Sequence, residues 1–272
     1  MHERISVNQL CFPGATFQQL AAHWRELGAR RVSFIGPALL GRDLSPLRAA
    51  LATGEYQVET LVHQFLPNQP LAWDPESWQS GRETLARLIR IAERLGAHSI
   101  YMLTGGHGSL TWEEAAAAFS EAIAPCVRQA RDAGVALAIE NALPLYADTH
   151  IAHTLPDTIM LAEMAGIGVC IDLFGCWAES GLRVSIERAM PRCHLIQVSD
   201  YVYGHRALPS RAVPGDGALP LERLLGWALT AGYEGAFDLE LIGPRIDQEG
   251  HLEAVRRTAD RLGTMLQSLT AC

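Results

Sequence analysis

"VCIDLFGCW", residues 169–177, places one acid, Asp172, inside an apolar run that reads as a buried strand. An ionised carboxylate buried without a partner is costly, so a cation, a metal or a hydrogen-bond network must meet it. Successive side chains alternate across a strand, so Gly168, Cys170 and Asp172 share one face and Val169, Ile171 and Leu173 the other. Small residues and an acid look one way; bulky residues look the other.

Two further stretches repeat this. In "VALAIEN" (135–141), Ala136, Ala138 and Glu140 oppose Leu137 and Ile139; in "GAFDLELIG" (235–243), Ala236, Asp238 and Glu240 oppose Phe237, Leu239 and Leu241. Between them, "HLIQVSD" (194–200) turns Gln197 or Ser199 inward and Ile196 and Val198 outward. Strand signals fall at 4–10, 31–36, 57–63, 98–104, 135–141, 167–173, 194–200 and 235–242. Amphipathic stretches such as "TFQQLAAHWRELGA", "SGRETLARLIRIAERLGA", "WEEAAAAFSEAIAPCVRQARDAG" and "PDTIMLAEMAG" separate them, each closing near a Gly suited to a helix C-terminus.

Eight alternations of strand and helix without a linker predict a single (β/α)8 TIM barrel over residues 1–272. An open doubly wound sheet would carry a G-x-G-x-x-G turn after its first strand, and none is present. In a barrel the bulky face packs on the outer helices, and the last inward residue of each strand lies at the C-terminal mouth. Glu140, Asp172 and Glu240 are therefore expected to converge there. Like charges at short range oppose ionisation, and a divalent cation relieves this. Carboxylate and amide oxygens favour Mg²⁺ or Mn²⁺ over zinc. The competing reading pairs each acid privately with one of the 22 Lys and Arg residues.

The remaining composition narrows the classes. The chain has 272 residues, 49% hydrophobic and 19% charged, which suits a full globular core. A formal charge of −8 supplies no basic face for nucleic acid or anionic lipid. Six cysteines (Cys11, Cys126, Cys170, Cys176, Cys193, Cys272) form no C-x-x-C pair or zinc-spaced cluster and read as reduced and structural. "MHERISVNQL" is charged where a signal peptide is apolar, and no run reaches transmembrane length, so a cytoplasmic protein with no membrane partner is expected.

Through "AIEN", "IDLFGCW", "HLIQVSD" followed by "RAVPGDG", and "GYEGAFDLELIG", the chain resembles the xylose isomerase-like barrel superfamily. This is the sugar phosphate isomerase/epimerase group that includes ketose 3-epimerases, hydroxypyruvate isomerase and inosose dehydratase. The resemblance implies that Glu140 and Glu240 are both metal ligands and acid/base carboxylates, that Asp172 is a ligand, and that Arg211 holds a substrate oxygen. Many members have His where this chain has Gln197; the hydroxypyruvate isomerase branch is similar in having Gln, whose amide oxygen still serves a metal. Many also have His where this chain has Gly175, and that departure removes a substrate contact.

His63, at the end of the third strand, and His107, after the fourth, are candidates for the substrate side, the competing reading being a satisfied or exposed histidine; Trp112 and Trp177 are candidates for the pocket wall, and His194 and His205 read as structural or substrate-side. The set predicts a divalent-metal-dependent isomerase or epimerase acting on a sugar, keto-sugar or small hydroxycarbonyl compound through an enediolate. Loss of a β-hydroxyl from the same intermediate would make a dehydratase. The other classes are a non-catalytic sugar-binding barrel and a DNA-repair phosphodiesterase resembling endonuclease IV, which the acidic balance and the missing histidines oppose. The partner is a carbohydrate-like small molecule and not nucleic acid; a homo-oligomer is left open.

Overall fold

The computed structural model describes residues 1–271, so Cys272 lies outside the described residues. Eight strands run β1 (Ile5–Asn8), β2 (Arg31–Ile35), β3 (Gln57–Gln64), β4 (Ser99–Leu103), β5 (Ala136–Glu140), β6 (Gly168–Asp172), β7 (Cys193–Val198) and β8 (Phe237–Leu239). Each pairs in parallel with the next, and β8 closes on β1 with Ile5 opposite Phe237 and Val7 opposite Leu239. The chain is a single (β/α)8 barrel. Its eighth strand is shorter than the expected 235–242 because only Phe237–Leu239 stay in register with both neighbours.

The helices are α1 (Phe17–Leu27), α2 (Gly36–Leu39), α3 (Ser45–Ala52), α4 (Pro75–Leu95), α5 (Trp112–Asp132), α6 (Leu155–Ala165), α7 (Leu173–Cys176), α8 (Leu182–Ala189), α9 (Leu221–Thr230), α10 (Pro244–Glu249) and α11 (His251–Thr270). Thr16 with Gln19 and Thr111 with Glu114 form reciprocal capping boxes that start α1 and α5. The expected glycine stop is seen at Gly96, left-handed with φ 63°, where its N–H closes α4 on Ala92 and Glu93. Helix α4 begins at Pro75, capped by Asp74, ahead of the expected start near residue 80. Gly81 lies within that helix: a Cβ there would stand 2.8 Å from the Phe65 carbonyl oxygen, so the glycine marks close packing on the residue just after β3 and not a boundary.

Alternation along the strands divides the core in two. Tyr101, Ala138, Cys170, Leu195 and Ala236 fill the barrel interior with Val62 against them. Ile139, Val169, Ile171, Ile196, Val198, Phe237 and Leu239 belong to the larger layer under the helices. The small inward residues leave room above them, and the polar groups at the strand ends occupy it. No helix among the described residues is long and apolar enough to cross a membrane.

Candidate active site

Glu140 ends β5, Asp172 ends β6, Gln197 stands one residue before the end of β7, and Glu240 follows β8 directly. All four are buried, and the three carboxylates line one cavity of about 220 Å³ together with Tyr101, Tyr146 and Arg211. Leu10, Val62, Leu103 and Ile242 supply its apolar wall. The face parity of strands five, six and eight therefore brings the acids together as expected. Clefts of about 360 and 410 Å³ lie at the opposite end of the barrel, beside His194, and gather no such group of carboxylates.

Arg211 enters from the loop after β7. Asp200 holds that loop, its carboxylate accepting backbone N–H groups of Tyr201 and Gly215 at 2.8 Å and of Gly217 and Leu219 at 3.0 Å. Backbone bonds between Asp200 and Ala212, at 2.8 and 2.9 Å, fix the segment beside the arginine. From there the guanidinium donates to Asp172 Oδ1 at 2.9 Å, Ser199 Oγ at 3.1 Å and Glu240 Oε1 at 3.0 Å. It also lies 4.2 Å from the Phe174 ring centre, a cation–π contact. Burial works against its charge, but Asp172 and Glu240 outweigh this and hold its pKa above the ordinary arginine value. The resemblance implied an arginine reserved for substrate; here it pairs directly with two of the acids.

Gln197 donates from Nε2 to Glu240 Oε2 at 2.5 Å and to the Tyr101 hydroxyl at 3.2 Å, while its Oε1 accepts from the Cys170 thiol at 3.4 Å. Ser199 also points inward, so both open choices on β7 face the same way. Glu140 differs from its neighbours. Its carboxylate takes part in no hydrogen bond or ion pair with any described residue. Burial, then Glu240 and Asp172, push its pKa well above the carboxylate range, with Arg211 opposing. Glu240 is also raised by burial, against the pull of Arg211.

One layer below, Asp238 accepts from Ser33 Oγ and Asn8 Nδ2, both at 2.7 Å, and burial pushes it up to about 7 against the pull of these bonds. Asn141 brackets the end of β6, donating to the Asp172 carbonyl and accepting from the Asp172 N–H, both at 2.9 Å. This explains Gly175: a Cβ there would stand 2.6 Å from Asn141 Nδ2, so no histidine fits while that clasp is in place.

The donor chemistry fits a hard divalent cation. Three carboxylates face one guanidinium, and Glu140 is left without a partner. The packing differs from the cation-sized gap expected among the four side chains. Among the described residues no three His, Cys, Asp or Glu side chains are grouped to hold a metal ion, and Arg211 stands between Asp172 and Glu240. The amide of Gln197 agrees with this, because next to a bare carboxylate it presents its NH₂ and not its oxygen.

The two substrate-side histidines lie elsewhere. His63 follows inward-facing Val62, so alternation turns it to the helix side of β3, where it is 2% exposed and neither ring nitrogen has a hydrogen-bond partner among the described residues. His107 is exposed on the loop after β4 and does not line the cavity. Trp112 donates to the Ile151 carbonyl at 2.8 Å, outside the pocket wall. Tyr101, Tyr146, Phe174 and Asp200 were not anticipated. Asp200 had a signal in the "PGDG" turn whose N–H groups it gathers; Tyr146, on a short 3₁₀ turn after β5, had none.

The profile of the family described as xylose isomerase-like TIM barrel matches residues 20–262. Among solved structures, the protein SMc04130 from Sinorhizobium meliloti 1021 superimposes with a TM-score of 0.85 at 24% identity, covering 95% of this chain and 97% of that one. The IolI protein with a bound zinc atom gives 0.83 at 15% identity over 98% and 99% of the two chains. An L-ribulose 3-epimerase gives 0.81 at 15% identity over 98% and 96%. At these identities the likeness is one of fold. No curated protein matches the sequence.

Proposed function

The chain belongs to the family of xylose isomerase-like TIM barrels, and from that premise we propose that it is a divalent-metal-dependent isomerase or epimerase of a keto-sugar or related hydroxycarbonyl compound. The observation that carries the reading is the pair Glu140 and Glu240. They stand on strands three places apart round the ring and face one small cavity, one unpartnered and the other fixed by Arg211 and Gln197. The zinc named for IolI and the epimerase named above support the same chemistry.

Glu140, Asp172, Gln197 and Glu240 would hold the cation. When bound, it supplies polarisation of a carbonyl and its neighbouring hydroxyl. Glu240, already oriented by two donors, removes a proton from the adjacent carbon, and Glu140, with no competing hydrogen bond, returns one from its own side of the cavity. Return to the neighbouring carbon, with the hydroxyl proton passing to the former carbonyl oxygen, isomerises; return to the opposite face of the same carbon epimerises. Arg211, released in part from Asp172, donates to an anionic oxygen of the substrate, and the apolar wall of Leu10, Val62 and Ile242 excludes water from the carbanionic intermediate.

The test is deuterium incorporation at carbon, read by NMR, for keto-sugars, keto-inositols and small hydroxycarbonyl acids in D₂O with Mn²⁺ or Mg²⁺. Exchange that EDTA abolishes is the expected result, and elimination of water from the substrate would redirect the assignment to a dehydratase. Metal-independent exchange, or none across the panel with metal bound, overturns the proposal.

A further inference from the structure

The carboxylate cavity, at about 220 Å³, lies below the roughly 300–1,000 Å³ common for small-molecule pockets. A second cavity of about 250 Å³ adjoins it, the two sharing Leu143, Phe174, Leu208 and Ser210. Neither alone reaches that range, whereas the two together do. Trp177, Tyr201, His205 and Arg206 line the outer cavity.

Its rings order one another. Phe174 meets Tyr201 edge-on at 5.9 Å, Trp177 lies 6.5 Å from Tyr201, and Tyr203, 72% exposed, lies 6.1 Å from Trp177. Such a chain of aromatics at a cavity mouth offers flat apolar faces held in place before anything binds. Unused polar capacity accompanies them. Arg206 donates to the Tyr201 hydroxyl at 2.7 Å and joins no ion pair among the described residues. His205 Nδ1 is buried and has no hydrogen-bond partner among the described residues. A hydrocarbon ligand would leave these nitrogens unpaired, and a bare phosphate would leave the ring faces uncovered. A sugar ring satisfies both, with C–H faces for the aromatics and hydroxyls for the nitrogens.

We propose that the substrate is a keto-glycoside: the ring that bears the ketone occupies the carboxylate cavity, and a second sugar ring lies past Phe174 on Trp177 and Tyr201. This rests on the function proposed above for the inner cavity and extends it to the substrate class.

Calorimetric titration of the full chain with methyl β-D-glucoside and with cellobiose, maltose and sucrose tests it. At least one two-ring sugar should bind tenfold or more tightly than the methyl glycoside. Trp177→Ala should erase that increment while leaving methyl glycoside affinity within twofold. Arg206→Ala, at an exposed position, should reduce the increment without disturbing the fold if the tryptophan variant is unstable. An increment absent from every two-ring probe, or retained in both variants, overturns the inference. So does sedimentation showing a dimer that Trp177→Ala dissociates. Deuterium exchange on a one-ring keto-sugar with no two-ring preference would refute this inference alone. Two-ring binding without exchange on any substrate would refute the catalytic reading alone.

Discussion

Replacing Arg211 by Met removes the one cation among three buried acids while keeping much of the side-chain volume. The arginine side chain is 9% exposed, and its partners Asp172 and Glu240 are 3% and 10% exposed, so solvent screens neither ion pair appreciably. Breaking a buried pair by removing one partner costs about 3–5 kcal/mol, because the remaining charge is left uncompensated. At roughly 2–4 °C per kcal/mol for a domain of comparable size, Tm in metal-free buffer should fall by about 10 °C. Mn²⁺ then has a larger effect on the variant than on the parent, since no guanidinium competes for the carboxylates. Saturation to a hundred times Kd stabilises by about 2.7 kcal/mol, which returns much of the loss. Differential scanning calorimetry with EDTA and with graded Mn²⁺ reads both quantities. A variant within 2 °C of the parent in EDTA would show that the pairs carry little energy. A variant that loses stability and regains none with metal would refute the reading of these acids as a cation site.

Three other perturbations follow from the same structure. Glu140→Gln should lower deuterium exchange by ~10²-fold while shifting Tm by less than a few degrees, since the native carboxylate accepts no hydrogen bond; unchanged exchange would assign proton transfer elsewhere. Burial pulls His63 from 6.5 down to about 4, so the unfolded chain binds the extra proton between those values and stability is lost as pH falls from about 6.5 to 4. The contribution is about 3 kcal/mol, and His63→Leu should flatten that part of the calorimetric pH profile; an equal acid slope in the variant would contradict it. Gly175→His must displace Asn141 from the clasp on Asp172, at about 1–3 kcal/mol of overpacking, and a variant as stable as the parent would show that the clasp yields freely.

The barrel and its acidic rim were legible because a parallel strand advertises both faces. Ala138 and Glu140, Cys170 and Asp172, and Asp238 and Glu240 pair a small or polar inward residue with an acid at the mouth, and the period of two fixes their side. Arg211 was legible as a site residue but not in its bonds, since its reach to Asp172 and Glu240 depends on how Asp200 folds the loop ahead of it. His63 shows the limit of the same argument. Position at a strand end suggested the pocket, yet the irregular step in register between β2 and β3, around Val32 and Ser33, means face must be counted from the mouth and not from the strand start. Tyr146 and the aromatic wall of Trp177 and Tyr201 lie on connections, where no periodicity ties a residue to a direction.

Asp238 binds Asn8 and Ser33 across the seam where the ring of strands closes, and Glu240 follows it by two residues. The latch and the last of the acids therefore arrive on the same short segment. During synthesis Glu140, Asp172 and Gln197 leave the ribosome before this segment, and until it arrives β1 lacks its β8 neighbour. Sealing that edge and completing the acidic mouth become a single event. A chain truncated before Phe237 therefore lacks both the seam between β1 and β8 and Glu240.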